Sequence, residues 1–189
     1  MTEISKQPDE LPPAVKHFVL KWGDMGSAWG VNRSVSQIHA LLYLSDQPLT
    51  AEDIADKLGM ARSNVSNSLK ELMSWSLIRR APQLRDRRDH FEAEGDIWEI
   101  VTRIAVQRKA REIDPILATL QTCLDEAERD ARVTPVIKER IGGMLEFTNA
   151  ANRWFDQMIA LPRGKLKMLL KLGAKVANLL PQGRKAERE

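Results

Sequence analysis

The chain has 189 residues, with Lys+Arg 29 against Asp+Glu 26, for a formal net charge of +3 at pH 7. That modest basic balance is compatible with a nucleic-acid partner without establishing one, and Cys123, the only cysteine, excludes an intramolecular disulfide. A protein of this length buries about 70% of its unfolded surface, ample for a core, and aromatic residues are only 5% while strand-like alternation is confined to one short region, so the fold class expected is mostly α with a small β-wing.

Residues 1–10 are polar and acidic and are expected to be disordered. They lack a positive region followed by an apolar one, so no ordinary signal peptide is read there, and no apolar run approaches the length of a membrane span. A cytoplasmic location is the default. Pro12 and Pro13 open a helix from Ala14 to Gly26, with Val15, Phe18, Val19 and Trp22 on its apolar stripe. Met25, Trp29 and Val31 extend that character through a stretch punctuated by Gly23, Gly26 and Gly30, and a stripe of this size needs a partner surface. Ser34 with Gln37 reads as a capping box for the next helix, whose core face is Val35, Ile38, Leu41, Leu42 and Leu44. After Pro48, Leu49 adds a strand of one or two residues.

The run 50–78 splits at helical period into two helices and a tight turn. Thr50 with Asp53 is an acidic variant of the capping box, Ile54, Ala55 and Leu58 share a face, and Gly59 sits where the chain must turn. The second helix carries Val65, Leu69, Leu72 and Met73 on one side. Its other side offers Arg62, Ser63, Asn64, Ser66, Asn67 and Lys70, with no acid until Glu71. A solvated helix face normally mixes Glu with Lys; short polar groups crowded into the first two turns are what a recognition helix presents to base edges. Leu77–Leu84 and His90–Glu94 then read as two strands around a turn holding Arg85, Arg87 and Arg88, whose guanidinium groups suit phosphates or a narrow minor groove. Asp86 and Asp89 read as partners that steady those arginines. The whole is a winged helix-turn-helix, with double-stranded DNA as the expected partner.

Asp96 with Glu99 begins a longer helix with Ile97, Ile100, Val101 and Ile104 on its stripe, interrupted at Asp114–Pro115 by a kink or restart. Ile116, Leu117, Leu120, Leu124 and Ala127 carry the stripe onward. Thr134–Pro135 opens another helix, running toward Leu161 past the soft point Gly142–Gly143. Lys165–Leu180 is a last amphipathic helix with Lys167, Lys171 and Lys175 on its polar side, followed by a basic tail with Arg184, Lys185 and Arg188. A winged helix is complete by Glu94, so these later stripes are expected to form a homodimer interface, the alternative being that they fold back on their own domain. The expected layout is a disordered 1–10, an N-terminal helix of 11–33 joining the dimerisation region, a DNA-binding domain at 34–95, a dimerisation region at 96–180 and a tail at 181–189.

The segments SVSQIHALLYLSDQPLTAEDIADKLGMARSNVSNSLKELMSWSLIRR and RDRRDHFEAEGDIWEI, with the later REIDP, resemble the MarR family of winged-helix regulators, and within it the branch named after GbsR, a regulator of osmoprotectant uptake. The resemblance spans residues 11–124. Two departures stand out: Ala61 where the family often has a Ser N-cap, worth ~1 kcal/mol of helix stability, and Ser76 where a Gly often ends the recognition helix. The resemblance implies a dimeric transcriptional regulator, most simply a repressor on a palindromic operator, and for some members choline- or betaine-like effectors. Trp22, Trp29, Tyr43, Trp75 and Trp98 flank the junction between the DNA-binding unit and the outer helices, and an aromatic cage there would hold a quaternary ammonium group; ordinary hydrophobic packing is the other reading.

No catalytic constellation is present, so no enzymatic activity and no cofactor are expected. His17, His39 and His90 lie on different elements without metal-ligand spacing, and Cys123 sits on an apolar stripe as a small hydrophobe. Two other functions stay open: a winged-helix protein-interaction module, and a peripheral membrane protein acting through the basic C-terminal helix.

Overall fold

The computed structural model describes residues 11–84 and 86–177, which form two units, residues 11–107 and 108–177. The expectations for the first ten residues, for Arg85, for the end of the last helix at Leu180 and for the basic tail lie outside the described residues.

In the first unit, α1 (Pro13–Ala28) starts with proline in its first turn. It does not stop at Gly26. Gly23 and Gly26 are buried inside the helix, where they let α2 (Arg33–Leu44) approach closely. A Cβ on Gly26 would lie 2.0 Å from Ser36 Oγ, and one on Gly23 would lie 2.6 Å from Gln37 Cγ. Gly26→Ala is therefore expected to destabilise the protein by a net ~1–2 kcal/mol, overpacking outweighing the ~1 kcal/mol that alanine gains in a helix. Gly142→Ala, in a helix where a Cβ meets nothing within 4 Å, should instead stabilise it; urea titration of both variants checks the sign.

The capping box expected at Ser34 and Gln37 is not formed. Asn32 caps α2, accepting from the Ser34 N–H at 2.8 Å, because it stands two residues earlier and so gains the helix another turn-start. Gln37 is instead buried over Gly23. The next cap follows the sequence reading: Thr50 Oγ1 accepts from the Asp53 N–H (3.1 Å) and Asp53 Oδ2 accepts from the Thr50 N–H (2.9 Å), opening α3 (Ala51–Leu58). Gly59 closes it with φ 62°, and the Met60 N–H reaches back to the Ala55 carbonyl at 3.0 Å.

Helix α4 (Arg62–Ser74) begins after Ala61 with no side-chain cap. It ends through Ser76, whose φ of 55° is the left-handed conformation that glycine adopts freely and serine does not. The Leu77 N–H donates to the Leu72 carbonyl at 3.0 Å across that turn. Strands β1 (Leu49–Thr50), β2 (Ile78–Arg80) and β3 (His90–Ala93) form an antiparallel sheet in the order β1-β3-β2, with Leu49 opposite Phe91 and Arg79 opposite Glu92. The first wing strand is thus shorter than the expected 77–84. Pairing stops after the Ala81 N–H meets the His90 carbonyl (2.9 Å), since Pro82 has no N–H to continue the ladder.

Helix α5 (Ile97–Arg108) is capped by Asp96, which accepts from the Trp98 N–H at 2.8 Å. Val19, Ile38, Leu41, Ile54, Val65, Leu69, Leu72, Leu77, Phe91 and Ile100 make one core from every element of this unit except β1. Arg103 of α5 donates to the Ser76 carbonyl and pairs with Glu94 at 3.1 Å, tying the end of α4 and the base of the wing to α5.

In the second unit a π-helical turn (Lys109–Ile113) precedes α6 (Asp114–Arg129), followed by α7 (Pro135–Ala160) and α8 (Arg163–Ala177). The restart expected at Pro115 takes this form because proline lacks the N–H that a regular turn needs, and the backbone widens ahead of it. Lys109 pairs with Asp114 (3.0 Å) and Asp156 (3.4 Å), fastening α7 to the turn. Few side chains here are buried: Ala127 and Leu145 are, whereas Phe147 is 75% and Trp154 62% exposed, and Ile116, Ile137, Met144 and Met168 are exposed too. Among the described residues, no helix is long and apolar enough to cross a membrane.

Candidate nucleic-acid interface

With 3.6 residues per turn, the buried Val65, Ser68, Leu69 and Leu72 seat α4 on the core, and Ser63, Asn67, Lys70 and Ser74 share the line that points most directly away. Arg62, Ser63, Asn64, Ser66, Asn67 and Lys70 are all exposed. They do not all stand free. Asn64, on the flank toward α2, donates its amide to Ser34 Oγ at 2.9 Å. Arg62, on the opposite flank, pairs with Glu52 of α3. Ser63, Ser66, Asn67 and Lys70 have no hydrogen bond or ion pair from their side chains to other described residues.

The wing arginines divide in the same way. Arg88 is gripped by Asp86, its Nη2 2.6 Å and its Nε 3.1 Å from Oδ2, while its backbone N–H donates to Oδ1 at 3.0 Å. These bonds from the Arg88 side chain and backbone hold the Asp86 carboxyl down at about 2, so it is ionised throughout the neutral range. Arg88 Nη1 also approaches Glu52 at 3.7 Å. His90 stacks its edges into the same turn, with Nδ1 3.0 Å from the Arg88 carbonyl and Nε2 3.5 Å from Asp86. Asp89 pairs more loosely with Arg80 at 3.6 Å. Both aspartates thus steady guanidinium groups, as the sequence leads one to expect. Arg87 is exposed and has no such partner among the described residues.

Between α4, the start of α3 and the wing lies an open groove of about 410 Å³, bordered by Thr50, Glu52, Arg62, Ser66, Lys70, Arg80, Arg88 and Asp89. Glu52, Ser34 and Arg80 are the residues that the sequence reading missed. Their partners come from elements distant in the chain, and no local pattern announces them.

The five aromatic residues read as an effector cage do not all converge. Trp22, stacked on Phe18 at 5.3 Å between ring centres, and Tyr43 border one apolar crevice together with His39, Ala40, Ile97 and Ile100. Its volume is about 10 Å³, room for roughly one water. Trp29 is 56% exposed beyond the end of α1, Trp75 follows α4, and Trp98 lies in the first turn of α5; none of the three borders the crevice. His39 is 4% exposed, its Nε2 has no hydrogen-bond partner, and burial holds its pKa at about 4. Among the described residues no group of His, Cys, Asp or Glu could hold a metal ion.

The profile that describes the MarR family matches residues 29–89, the span from the end of α1 to the wing. Residues 29–89 are a MarR-family winged helix-turn-helix. Two relatives in Bacillus subtilis (strain 168) extend the likeness over most of the chain. YvaV, whose name describes it as a candidate HTH-type transcriptional regulator, is 19% identical over 153 residues, 77% of this chain and 82% of its own. OpcR, named an HTH-type transcriptional repressor, is 17% identical over 156 residues, 81% of this chain and 84% of its own. A crystal structure of a transcriptional regulator superposes with a TM-score of 0.52 at 17% identity, over 78% of this chain and 96% of that one, which shows the shared fold. The MarR-type segment thus coincides with the elements that build the polar face of α4 and the wing.

Proposed function

We propose that this chain is a GbsR-type member of the MarR family that represses transcription by binding a palindromic operator as a homodimer, under the control of a small-molecule effector such as an osmolyte. The observation that carries the reading is the outer line of α4, where Ser63, Asn67 and Lys70 stand exposed, unpaired and without an acid beside a wing that offers Arg87. In this reading residues 34–95 bind DNA. Ser63, Ser66 and Asn67 meet base edges, with Asn64 doing so on release from Ser34, and Arg62, Lys70 and the wing residues Arg85, Arg87 and Arg88 hold phosphates. OpcR, named a repressor, supports the sign of the regulation, and the wing with the REIDP motif supports the branch.

Residues 96–180, joined by the helix of 11–33, serve as the dimerisation region. The exposed apolar side chains of α7 and α8 support this, because a unit that buries so little of its own apolar surface needs a cover. A dyad would place two recognition helices on half-sites ~34 Å apart. Replacing Phe147 and Trp154 together by Glu should convert a dimer to a monomer in sedimentation velocity; a parent protein that already sediments as a monomer would remove dimerisation from the reading. An effector at Trp22 and Tyr43, with or without Trp29, Trp75 and Trp98, requires the 10 Å³ crevice to open. Selection of genomic fragments by the purified protein, with and without choline or betaine, tests the whole. Enrichment of a shared inverted repeat, lost on adding the osmolyte, is expected. No enrichment in either arm contradicts DNA recognition, and enrichment indifferent to both osmolytes contradicts the effector.

A further inference from the structure

Glu52 stands in the first turn of α3, where an acid favours the helix dipole, yet Asp53 beside it already fills that role and closes the Thr50 box. Glu52 does something else. Its Oε1 pairs with Arg62 at the start of α4 and its Oε2 lies 3.7 Å from Arg88 Nη1 in the wing, so one carboxylate spans the two elements that border the groove. The charges there cancel: Arg62 and Arg88 stand against Glu52 and Asp86. All four side chains are partly exposed, and exposed ion pairs add little to stability. Their consequence is orientation and local potential. A guanidinium has five N–H donors in a fixed fork, so each arginine keeps donors free while its direction is set.

We propose that Glu52 is a positioning residue that restrains non-specific DNA binding. It holds Arg62 and Arg88 in one mutual arrangement, offers a phosphate only the donors left outward, and repels a duplex that approaches the groove in any other register. The inference rests on the DNA-binding reading above and adds to it a residue that sets specificity from outside the recognition helix.

The test compares the parent with Glu52→Gln, which keeps the shape and removes the charge, using random-sequence duplexes and the fragment enriched by the parent, each titrated over a range of salt. Affinity for random duplexes should rise several-fold, and the log–log salt slope should steepen by about 0.9 for each arginine that gains a phosphate, up to about 1.8. Affinity for the enriched fragment should change less, so the ratio between the two should fall. Glu52→Ser, a residue well suited to a first helical turn, carries the same expectation should the Gln variant fold poorly. A parent that binds DNA with variants of unchanged slope and ratio overturns the inference alone, as do folded variants that lose binding to both duplexes. A parent that binds no duplex overturns the DNA-binding reading and the inference with it.

Discussion

Replacing Lys70 and Arg87 together by Gln should weaken binding to every duplex alike and make the log–log salt dependence shallower by about 1.8, since each phosphate contact contributes about 0.9. These two cations are chosen because they are exposed and have no carboxylate partner among the described residues, one on the outer line of α4 and the other in the wing. Arg88 differs. Asp86 and Glu52 already hold it, so removing it alters the shape of the wing turn as well as its charge. Asn67→Ala should leave the salt slope unchanged and relax sequence preference at one base position, by about 1–3 kcal/mol. Anisotropy titrations of labelled duplexes at several salt concentrations separate the two classes. Slopes identical to the parent's in the double variant would mean that phosphates lie elsewhere.

His39 predicts a second large effect, on stability. Burial lowers its pKa to about 4 from the ordinary 6.5, so between those values the unfolded chain binds a proton that the folded chain refuses. The stability tied to neutral His39 is therefore whole above pH 6.5 and is lost as pH falls toward 4, by about 3 kcal/mol in total. About 2 kcal/mol of this should disappear between pH 6.5 and 5. The carboxyls of Asp53, Asp86 and Glu94 have lowered pKa values, so their own losses begin only in more acidic solution. His39→Leu should flatten the profile from pH 6.5 to 5. Its stability at pH 7 should stay near the parent's, because the imidazole Nε2 has no partner to lose. Urea denaturation at both pH values measures the difference; equal slopes in parent and variant would contradict the assignment.

Much of this molecule is legible where neighbours in sequence settle the structure. Thr50 and Asp53 close their box three residues apart, Gly59 turns left-handed, and the alternation of buried Val65, Leu69 and Leu72 with exposed Ser63, Asn67 and Lys70 follows from the helical period alone. Legibility fails where a side chain had a choice of partners. Ser34 had the residue type for an N-cap, but Asn32 took the place and left the Ser34 hydroxyl to Asn64. Gly26, read as a helix end, is a contact with Ser36 that only the packing of α1 on α2 creates. The same limit hid Glu52. Nothing near it in sequence distinguishes it from an ordinary first-turn acid, and Arg62 and Arg88 reach it only once the turn and the wing are folded.

The most direct test of the central claim places a cutting reagent on the face assigned to the groove. Cys123→Ser removes the native thiol, and Ser74→Cys, two turns beyond Asn67 on the same line of α4, receives an iron chelate that cleaves nearby DNA. On the enriched fragment, cleavage is expected in two symmetric clusters about one helical turn apart. Cleavage from a chelate on an exposed α1 position such as Lys16→Cys, with none from position 74, would contradict the account.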